Sequence, residues 1–239
     1  MSVLVVTGTG TEVGKTVVTA ALAAVTAAGG WSVAALKPAQ TGVAPGEPGD
    51  VHEVVRLAGD TVTGVELARF PDPLAPATAA RRAGVSPVRP TEVAEAAAKL
   101  SAAHDVVLVE GAGGLLVRFD DEGSTLADVA ALLRCRVLLV AQAGLGTLNT
   151  TALTAEALKA RDVPCAGVVV GSWPHEPGLA EVCNLTDLPE AAGAPLLGVL
   201  PEGAGRMTPE AFRGAAPGWL APELGGVWDA AGFVARQRG

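Results

Sequence analysis

Residues 8–16, GTGTEVGKT, place three glycines, three threonines and a lysine directly after an apolar run and directly before a helical pattern. Glycines allow backbone N–H groups to curl around an anion without Cβ clashes. A helix start adds free donors and partial positive charge. In that setting Lys15 would contact the β- and γ-phosphates of a nucleotide, and the Thr16 hydroxyl would bind Mg²⁺. The stretch therefore predicts a phosphate-binding loop.

The entry of this loop departs from the common phosphate-binding pattern. That pattern has a glycine five positions before the one that precedes the lysine. Here that position is Thr9, and the glycines are Gly8 and Gly10. The loop is thus one residue longer than the common form, or its entry is built differently. The alternative, a glycine-rich turn that only caps a helix, is disfavoured because strand, loop and helix patterns agree.

Further polar residues follow other predicted strands. Lys37 and Thr41 lie in LKPAQTG behind the second strand, Glu110 follows the third, and Asp50 begins a helix. A lysine at the tip of a buried strand is costly to desolvate unless an anion is near. Two carboxylates together with Thr16 suit a hard cation such as Mg²⁺. The alternatives are a surface lysine, a salt-bridged or capping glutamate, and a simple helix cap at Asp50.

Another glycine-rich stretch, AGLGTLNTTAL at 143–153, follows the next predicted strand. Gly144, Gly146, Thr147 and Asn149 would expose N–H groups at a helix start, which suits a carboxylate or a phosphate. An ordinary loop with a threonine cap is the alternative.

The composition limits the function classes. The 239 residues are 49% hydrophobic and 18% charged, which is typical of a compact domain. The net charge of −8 argues against a nucleic-acid surface, so local cations must hold any anionic substrate. We find no apolar run of membrane-spanning length and no signal peptide, and we therefore expect a cytoplasmic protein that binds neither membranes nor nucleic acid.

Cysteine and histidine chemistry is not indicated. The three cysteines form no CxxC pair or metal spacing, and we expect buried, unreactive thiols. The three histidines lie near no nucleophile motif. By contrast, the chain has only four lysines, so the placement of Lys15 and Lys37 is informative.

The elements that must position these residues alternate along the chain. Apolar runs predict strands at residues 2–7, 32–36, 105–109, 136–141, 165–170 and 196–200. Helices are predicted at residues 15–28, 50–58, 73–82, 91–102, 125–133, 148–160 and 188–192, with one or two more within 217–237. Continuously apolar strands alternating with helices predict one α/β domain over residues 1–239, with a doubly wound, mainly parallel sheet between two helical layers.

In its motifs the chain resembles the dethiobiotin synthetase family. The motifs GTGTEVGKT, LKPAQTG, VEGAGGLLV, GLGTLNTTALTAEAL and VLP, together with Asp50, fall in that family's order and rough spacing over nearly residues 1–205. The family's phosphate loop has the same long entry. The resemblance implies a phosphate-loop fold and a biotin-synthesis ligase that closes a ureido ring on 7,8-diaminopelargonic acid, using carbon dioxide, ATP or another nucleoside triphosphate, and Mg²⁺. It also implies a homodimer with active sites at the interface.

The resemblance further implies roles for individual residues. Lys37, Lys15 and Thr11 would be catalytic, and Thr16, Asp50 and Glu110 would bind the metal ion. The nucleotide would contact Gly10, Glu12, Val13, Gly14, Lys15, Thr16, Val17, Gly171, Ser172, Pro201, Gly203 and Ala204. The other substrates would contact Thr11, Lys37, Thr41, Ala112, Gly113 and, from the partner subunit, Gly144, Leu145, Gly146, Thr147 and Asn149.

Other classes remain as alternatives. The main one is a nucleotide-switched dimeric regulator of the partitioning-ATPase type, but these proteins carry a second lysine early in the phosphate loop, and residues 8–14 contain none. A cobyrinate-type amidotransferase would need an appended glutaminase domain. A small-molecule kinase would not depend on carbon dioxide.

One departure from the family generates a prediction. Many relatives carry an adenine-reading asparagine after the fifth predicted strand, where this chain has Gly171, Ser172 and Trp173. Because a missing side-chain amide removes hydrogen-bond discrimination, we expect a relaxed or altered base preference. Competition between ATP, CTP and GTP in an activity assay measures it, and a strong preference for ATP would contradict it.

Overall fold

The computed structural model describes residues 2–238, which form seven strands and nine α-helices. The strands are β1 (Ser2–Gly8), β2 (Val33–Thr41), β3 (Thr63–Phe70), β4 (Val106–Gly114), β5 (Arg136–Ala141), β6 (Cys165–Trp173) and β7 (Leu196–Pro201). The helices are α1 (Lys15–Ala28), α2 (Asp50–Ala58), α3 (Pro76–Ala83), α4 (Pro90–Ser101), α5 (Leu126–Leu133), α6 (Thr147–Lys159), α7 (Leu179–Ala192), α8 (Pro209–Ala215) and α9 (Ala230–Arg238). None of the helices in this part of the chain is long and apolar enough to cross a bilayer.

The strands form one sheet in the order β3-β2-β4-β1-β5-β6-β7, and every pairing between them is parallel. The chain first proceeds from β1 outward to β3 and then returns to insert β4 beside β1. The direction of winding reverses there, and such a switch point opens a crevice at the carboxyl ends of the strands. The predicted three-layer α/β/α fold is confirmed, with a wholly parallel sheet.

The central strands are buried on both faces. Val5 and Val6 of β1 are fully buried, as are Val168, Val169 and Val170 of β6. Helices cover both faces of a parallel sheet, so its inner strands carry apolar side chains without alternation. This is why continuous apolar runs predicted these strands correctly.

The edge strand β3 was not predicted. Its sequence TGVELARF mixes apolar and charged residues, and most of its side chains are exposed or half-buried. Glu66 and Arg69 form an ion pair along it, with Arg69 Nε 2.7 Å from Glu66 Oε1. Strand β3 has one neighbour and wetter faces, so it lacks the apolar run that marks the inner strands. The other edge strand, β7, keeps such a run because nearly all of its residues are buried.

Three strands extend at least three residues beyond their predicted ends. Strand β6 ends at Trp173 rather than at residue 170, so Gly171 and Ser172 lie inside it and not after it as predicted. Strand β2 continues to Thr41, so Lys37 lies inside the strand and the prediction that it sits at the tip is wrong. Strand β4 likewise continues through Glu110 to Gly114. Backbone pairing, which ignores side-chain polarity, sustains the β2 extension: Lys37 pairs with Glu66 and Thr41 with Phe70 of β3.

Several helix bounds also differ from prediction. Helix α7 begins at Leu179 rather than at residue 188, and Pro189 lies inside it although proline usually ends a helix. Helix α3 spans Pro76–Ala83 rather than 73–82. Helix α8 was not predicted, although Thr208 caps it by accepting a bond from Ala211 N.

Two further expectations concern the C-terminal region and the thiols. One or two helices were predicted within residues 217–237, and the α-helix that the described residues form there is α9. Cys135 is buried as expected, whereas Cys165 is half-buried and Cys183 is exposed, so the expectation of buried thiols is wrong for Cys183.

The loop after β1 presses against β6. A Cβ atom built on Gly171 would lie 2.0 Å from Val13 O and 2.7 Å from Val140 Cγ1. Real Cβ atoms do not approach backbone oxygen so closely. Strand β6 therefore supports the loop from one side, and only glycine fits at the contact.

This contact predicts that Gly171→Ala destabilises the fold by about 1–3 kcal/mol, because rigid backbone rather than a mobile side chain must yield. The control is Gly214→Ala in α8, where a Cβ meets nothing within 4 Å. Alanine there should stabilise the helix by roughly 0.5–1 kcal/mol. Thermal or urea unfolding measures both changes, and equal stability of the two variants would refute the close approach.

Candidate active site

A cavity of about 420 Å³ opens at the carboxyl ends of β1, β2 and β4. Most of its walls come from residues singled out in the sequence. It is lined by Thr11, Glu12, Gly14, Lys15, Thr16, Val17, Lys37, Ala39, Gln40, Thr41, Asp50, Glu110, Ala112 and Gly113. The structure thus brings the loop after β1, the polar residues of β2 and β4, and the start of α2 to one place.

The loop after β1 folds around the Lys15 ammonium. Lys15 Nζ donates to Gly10 O at 2.9 Å, so the side chain bends back across the loop. Gly14 starts α1 with a φ of 93°, a left-handed conformation that favours glycine. A Cβ there would also lie 2.6 Å from Gly171 O. The loop's curvature and its packing both depend on this glycine, whereas Val13 is buried and points away from the cavity.

The Lys37 ammonium is held by three acceptors. Lys37 Nζ lies 2.5 Å from Asp50 Oδ2 and 2.8 Å from Glu110 Oε1, and it donates to Gly111 O at 2.9 Å. Lys37 is 2% exposed and Glu110 is 3% exposed. Leu36 pairs with Val109 in the sheet, so the two charged residues are neighbours on adjacent strands. A buried ammonium and a buried carboxylate therefore neutralise each other in the cavity wall.

The two lysines differ in electrostatic environment. Burial lowers the pKa of Lys15, the nearby Lys37 ammonium lowers it further, and Glu110 and Asp50 offset only part of this. Burial also acts to lower the pKa of Lys37, but contacts with Glu110 and Asp50 outweigh it and raise that pKa above its usual value. Lys37 therefore stays protonated. Lys15 lacks a carboxylate partner, so a bound anion would stabilise its protonated form more than that of Lys37.

The oxygen groups around Lys37 suit a divalent cation. Thr16 Oγ1 donates to Glu110 Oε1 at 2.9 Å, and Asp50 reaches the same ammonium from α2. One hydroxyl and two carboxylates form an oxygen-only donor set, the kind that Mg²⁺ prefers. The described residues contain no cluster of three or more acidic, histidine or cysteine side chains.

Sequence reasoning overlooked Gln40 in this site. Gln40 Oε1 accepts from Asp50 N at 2.8 Å, and Gln40 is 4% exposed. This bond anchors the first residue of α2 to β2, which fixes the Asp50 carboxylate beside Lys37. Gln40 belongs to the LKPAQTG stretch, so the sequence placed it near the site. Its hydrogen bond to Asp50, ten residues later, could not be recognised from the sequence.

The residues predicted to contact the base lie beside the loop rather than in the cavity wall. Gly171 touches Val13, and Ser172 is exposed. The predicted residues Pro201, Gly203 and Ala204 lie at the end of β7 and in the turn that follows it. In this turn, a Cβ atom built on Gly205 would lie 3.1 Å from Val17 Cγ2. Arg56 Nη2 of α2 donates to Gly205 O at 2.7 Å and holds the turn in place.

Residues 144–149 do not line this cavity. They run from the loop after β5 into the first turn of α6, and none of the described lining residues comes from them. Within one chain, the stretch predicted to bind a substrate carboxylate is therefore not brought to Lys15 and Lys37.

Comparison with known proteins identifies the family. A family model described as an AAA domain matches residues 2–209. An ATP-dependent dethiobiotin synthetase BioD from Streptomyces avermitilis is 69% identical over 234 residues, covering 98% of each chain. The BioD of Frankia casuarinae is 58% identical over 99% of each chain. That of Mycobacteroides abscessus is 50% identical over 89% of this chain and 92% of its own.

Solved structures agree on the fold. A ParA family ATPase from Chlorobium tepidum superposes with a TM-score of 0.58 at 13% identity, covering 94% of each chain. The septum site-determining protein MinD of Pyrococcus horikoshii, complexed with Mg-ADP, gives 0.57 at 17% identity over 90% of this chain and 94% of its own. These similarities concern the fold alone, whereas the BioD relatives are 50–69% identical over 89–99% of this chain. By the family model and these full-length relatives, the chain belongs to the dethiobiotin synthetase family of phosphate-loop proteins.

Proposed function

We propose that this chain is an ATP-dependent ligase of biotin biosynthesis that forms dethiobiotin from 7,8-diaminopelargonic acid and carbon dioxide. One amine of the substrate is carboxylated to a carbamate. A carbamate oxygen then attacks the γ-phosphate of the nucleotide, which breaks the bond to the β-phosphate and releases the nucleoside diphosphate. The second amine then closes the ureido ring on the carbamic–phosphoric anhydride and expels phosphate. The high identity to BioD proteins supports the overall reaction, and the cavity supports the residue roles.

The observation that carries the proposal is the convergence of Lys15 and Lys37 on one cavity. The carbamate and the triphosphate are both anionic, and their reacting oxygens must come within bonding distance. Two ammonium groups in a sheltered cavity offset that repulsion and stabilise the charge that moves to the bridging oxygens. The other two lysines, Lys99 and Lys159, are exposed on α4 and α6.

Thr16, Asp50 and Glu110 are the residues that would hold Mg²⁺. The ion would supply Lewis-acid stabilisation to phosphate oxygens. In the described chain the carboxylates of Asp50 and Glu110 contact the Lys37 ammonium. We infer that Lys37 exchanges part of these contacts for substrate oxygens when ligands bind, so that its ammonium remains paired with negative charge throughout.

Small residues leave room for the diamine. Ala112 and Gly113 form part of the cavity wall, and Gly113 has a φ of 70° with its Cβ position 2.9 Å from Val117 Cγ2. Thr11 and Thr41 face the same space and offer hydroxyls to the carbamate or phosphoryl oxygens. A longer side chain at Gly113 would strain the backbone and narrow the space for the substrate.

A homodimer would complete the site. Residues 144–149 lie outside the cavity of their own chain, and Leu145 among them is 88% exposed. Leu153, further along α6, is 58% exposed. Apolar side chains left in water at this place suit a two-fold interface, which would bring each loop to the partner's cavity. Dimerisation, the single-domain organisation and the cytoplasmic location remain predictions.

The comparisons do not favour the alternative, a partitioning-type nucleotide switch. The ParA and MinD structures share the fold at 13% and 17% identity, far below the identity to BioD proteins. Incubation with diaminopelargonate, bicarbonate, Mg²⁺ and a nucleotide tests the proposed reaction directly. Mass detection of the cyclised product supports it, and nucleotide hydrolysis without that product would overturn it.

Lys37→Ala should lower turnover by about 10²–10³-fold, the scale of losing one electrostatic contact to a transition state. Lys99→Ala removes an exposed lysine of α4 and serves as the matched control. Product formation is measured at saturating substrates, with circular dichroism to show that the fold persists. Normal turnover by Lys37→Ala would remove this residue from the proposed mechanism.

Asp50→Asn should chiefly weaken the use of Mg²⁺, because the substitution removes one of the two negative charges available to the ion. The Mg²⁺ concentration for half-maximal rate should rise at least roughly tenfold, the scale seen when support of a metal site is lost. Asp60→Asn, just beyond the other end of α2, is the control because Asp60 is exposed. An unchanged Mg²⁺ dependence would show that Asp50 serves only to begin α2 and does not bind the ion.

A further inference from the structure

The loop between β5 and α6 is fastened from behind by α7. Asn184 of α7 is 7% exposed, and its Nδ2 donates to Ala143 O at 2.7 Å and to Gly144 O at 3.1 Å. On the other side of the loop, Thr147 Oγ1 donates to Gln142 O at 2.7 Å. Asn184 therefore reaches across 41 residues of sequence to hold two successive carbonyl groups.

These two bonds fix the direction of the neighbouring N–H groups. The described chain has no cis peptide bond, and in a trans peptide the N–H points opposite to the C=O. With the carbonyls of Ala143 and Gly144 drawn toward α7, the amides of Gly144 and Leu145 point away from it. No acceptor among the described residues receives a bond from either amide. Two adjacent donors are thus left for something outside this chain's own structure.

The neighbourhood of Asn184 makes this direction important. Glu181, three residues earlier on the same face of α7, has a carboxylate oxygen 2.9 Å from the Cβ position of Gly144. A negative charge on the α7 side would oppose any anion that approached from there. Turning the amides away from α7 therefore presents them to an anion on the side of the loop remote from Glu181.

We propose that Asn184 is a positioning residue for recognition of the substrate's distant carboxylate, acting through the amides of Gly144 and Leu145. The proposal rests on the proposed function, because the carboxylate is that of diaminopelargonate bound in the partner's cavity. An asparagine suits the role because its NH₂ group donates two bonds. An aspartate of the same shape would instead place acceptor oxygens against the two carbonyls.

The test compares two substrates on several variants. The first substrate is diaminopelargonate, and the second is the matching diamine with a methyl group in place of the carboxylate. Asn184→Ala and the isosteric Asn184→Asp should each raise KM for diaminopelargonate by roughly tenfold or more, with kcat and the nucleotide KM within about twofold of wild type. For the methyl compound, kcat/KM should be the same in wild type and variants, because it has no carboxylate to be recognised.

Thr151→Val in α6 is the matched control. The Thr151 hydroxyl is buried and has no hydrogen-bond partner among the described residues, so its removal should leave KM for both substrates unchanged. Calorimetric titration of each variant with diaminopelargonate measures the loss of binding without turnover, and thermal unfolding shows whether the variants are folded.

Two results would overturn the assignment of Asn184. One is an unchanged KM for diaminopelargonate in both Asn184 variants. The other is an equal loss for both substrates, which a general loosening of the loop would cause. These differ from failure of the proposed function, in which the wild-type chain itself forms no dethiobiotin.

Discussion

The buried ammonium of Lys37 is the constraint on which the rest of the site depends. A charge removed from water costs several kcal/mol unless opposite charge and hydrogen bonds surround it. Asp50 at the start of α2 and the adjacent Glu110 carboxylate and Gly111 carbonyl of β4 supply that compensation from two separate stretches of the chain. Strands β2 and β4 must therefore lie side by side in one register, and α2 must begin close to both. The arrangement that satisfies the charge also assembles the cavity.

Neighbouring elements maintain this arrangement on both sides of β1 in the strand order. Gln40 anchors the start of α2 to β2, and Arg56 on the same helix holds the turn at Gly205. On the opposite side, Gly171 of β6 lets the phosphate loop approach within backbone contact. The regions predicted to bind the metal ion, the phosphates and the base are thus linked through backbone and short polar contacts. Each region lies at the carboxyl edge of the sheet, where the reversal of winding opens the crevice.

The sequence allowed prediction of the elements whose signals are local. The inner strands were recognised because burial on both faces imposes continuous apolar runs, and α1 was recognised from its glycine-rich start and alanine-rich body. Strand β3 was missed because its exposed edge position carries charged residues such as Glu66 and Arg69. Most of α7 was missed, and the helix accommodates Pro189, which by local rules would end it. Local patterns are ambiguous wherever tertiary packing stabilises an element that its own residues disfavour.

By itself the sequence determined the fold class, the position of the phosphate loop and the candidate residues Lys15, Lys37, Asp50 and Glu110, since these follow from residue type, spacing and period. Only the tertiary structure decided which of them touch. Lys37 and Glu110 are 73 residues apart and meet because the register of β2 and β4 places them on adjacent strands. Asn184 had no local signal, because its partners are backbone carbonyls 40 and 41 residues away. Backbone acceptors look alike in every residue, so contacts of this kind become visible only when the folded chain brings the two segments together.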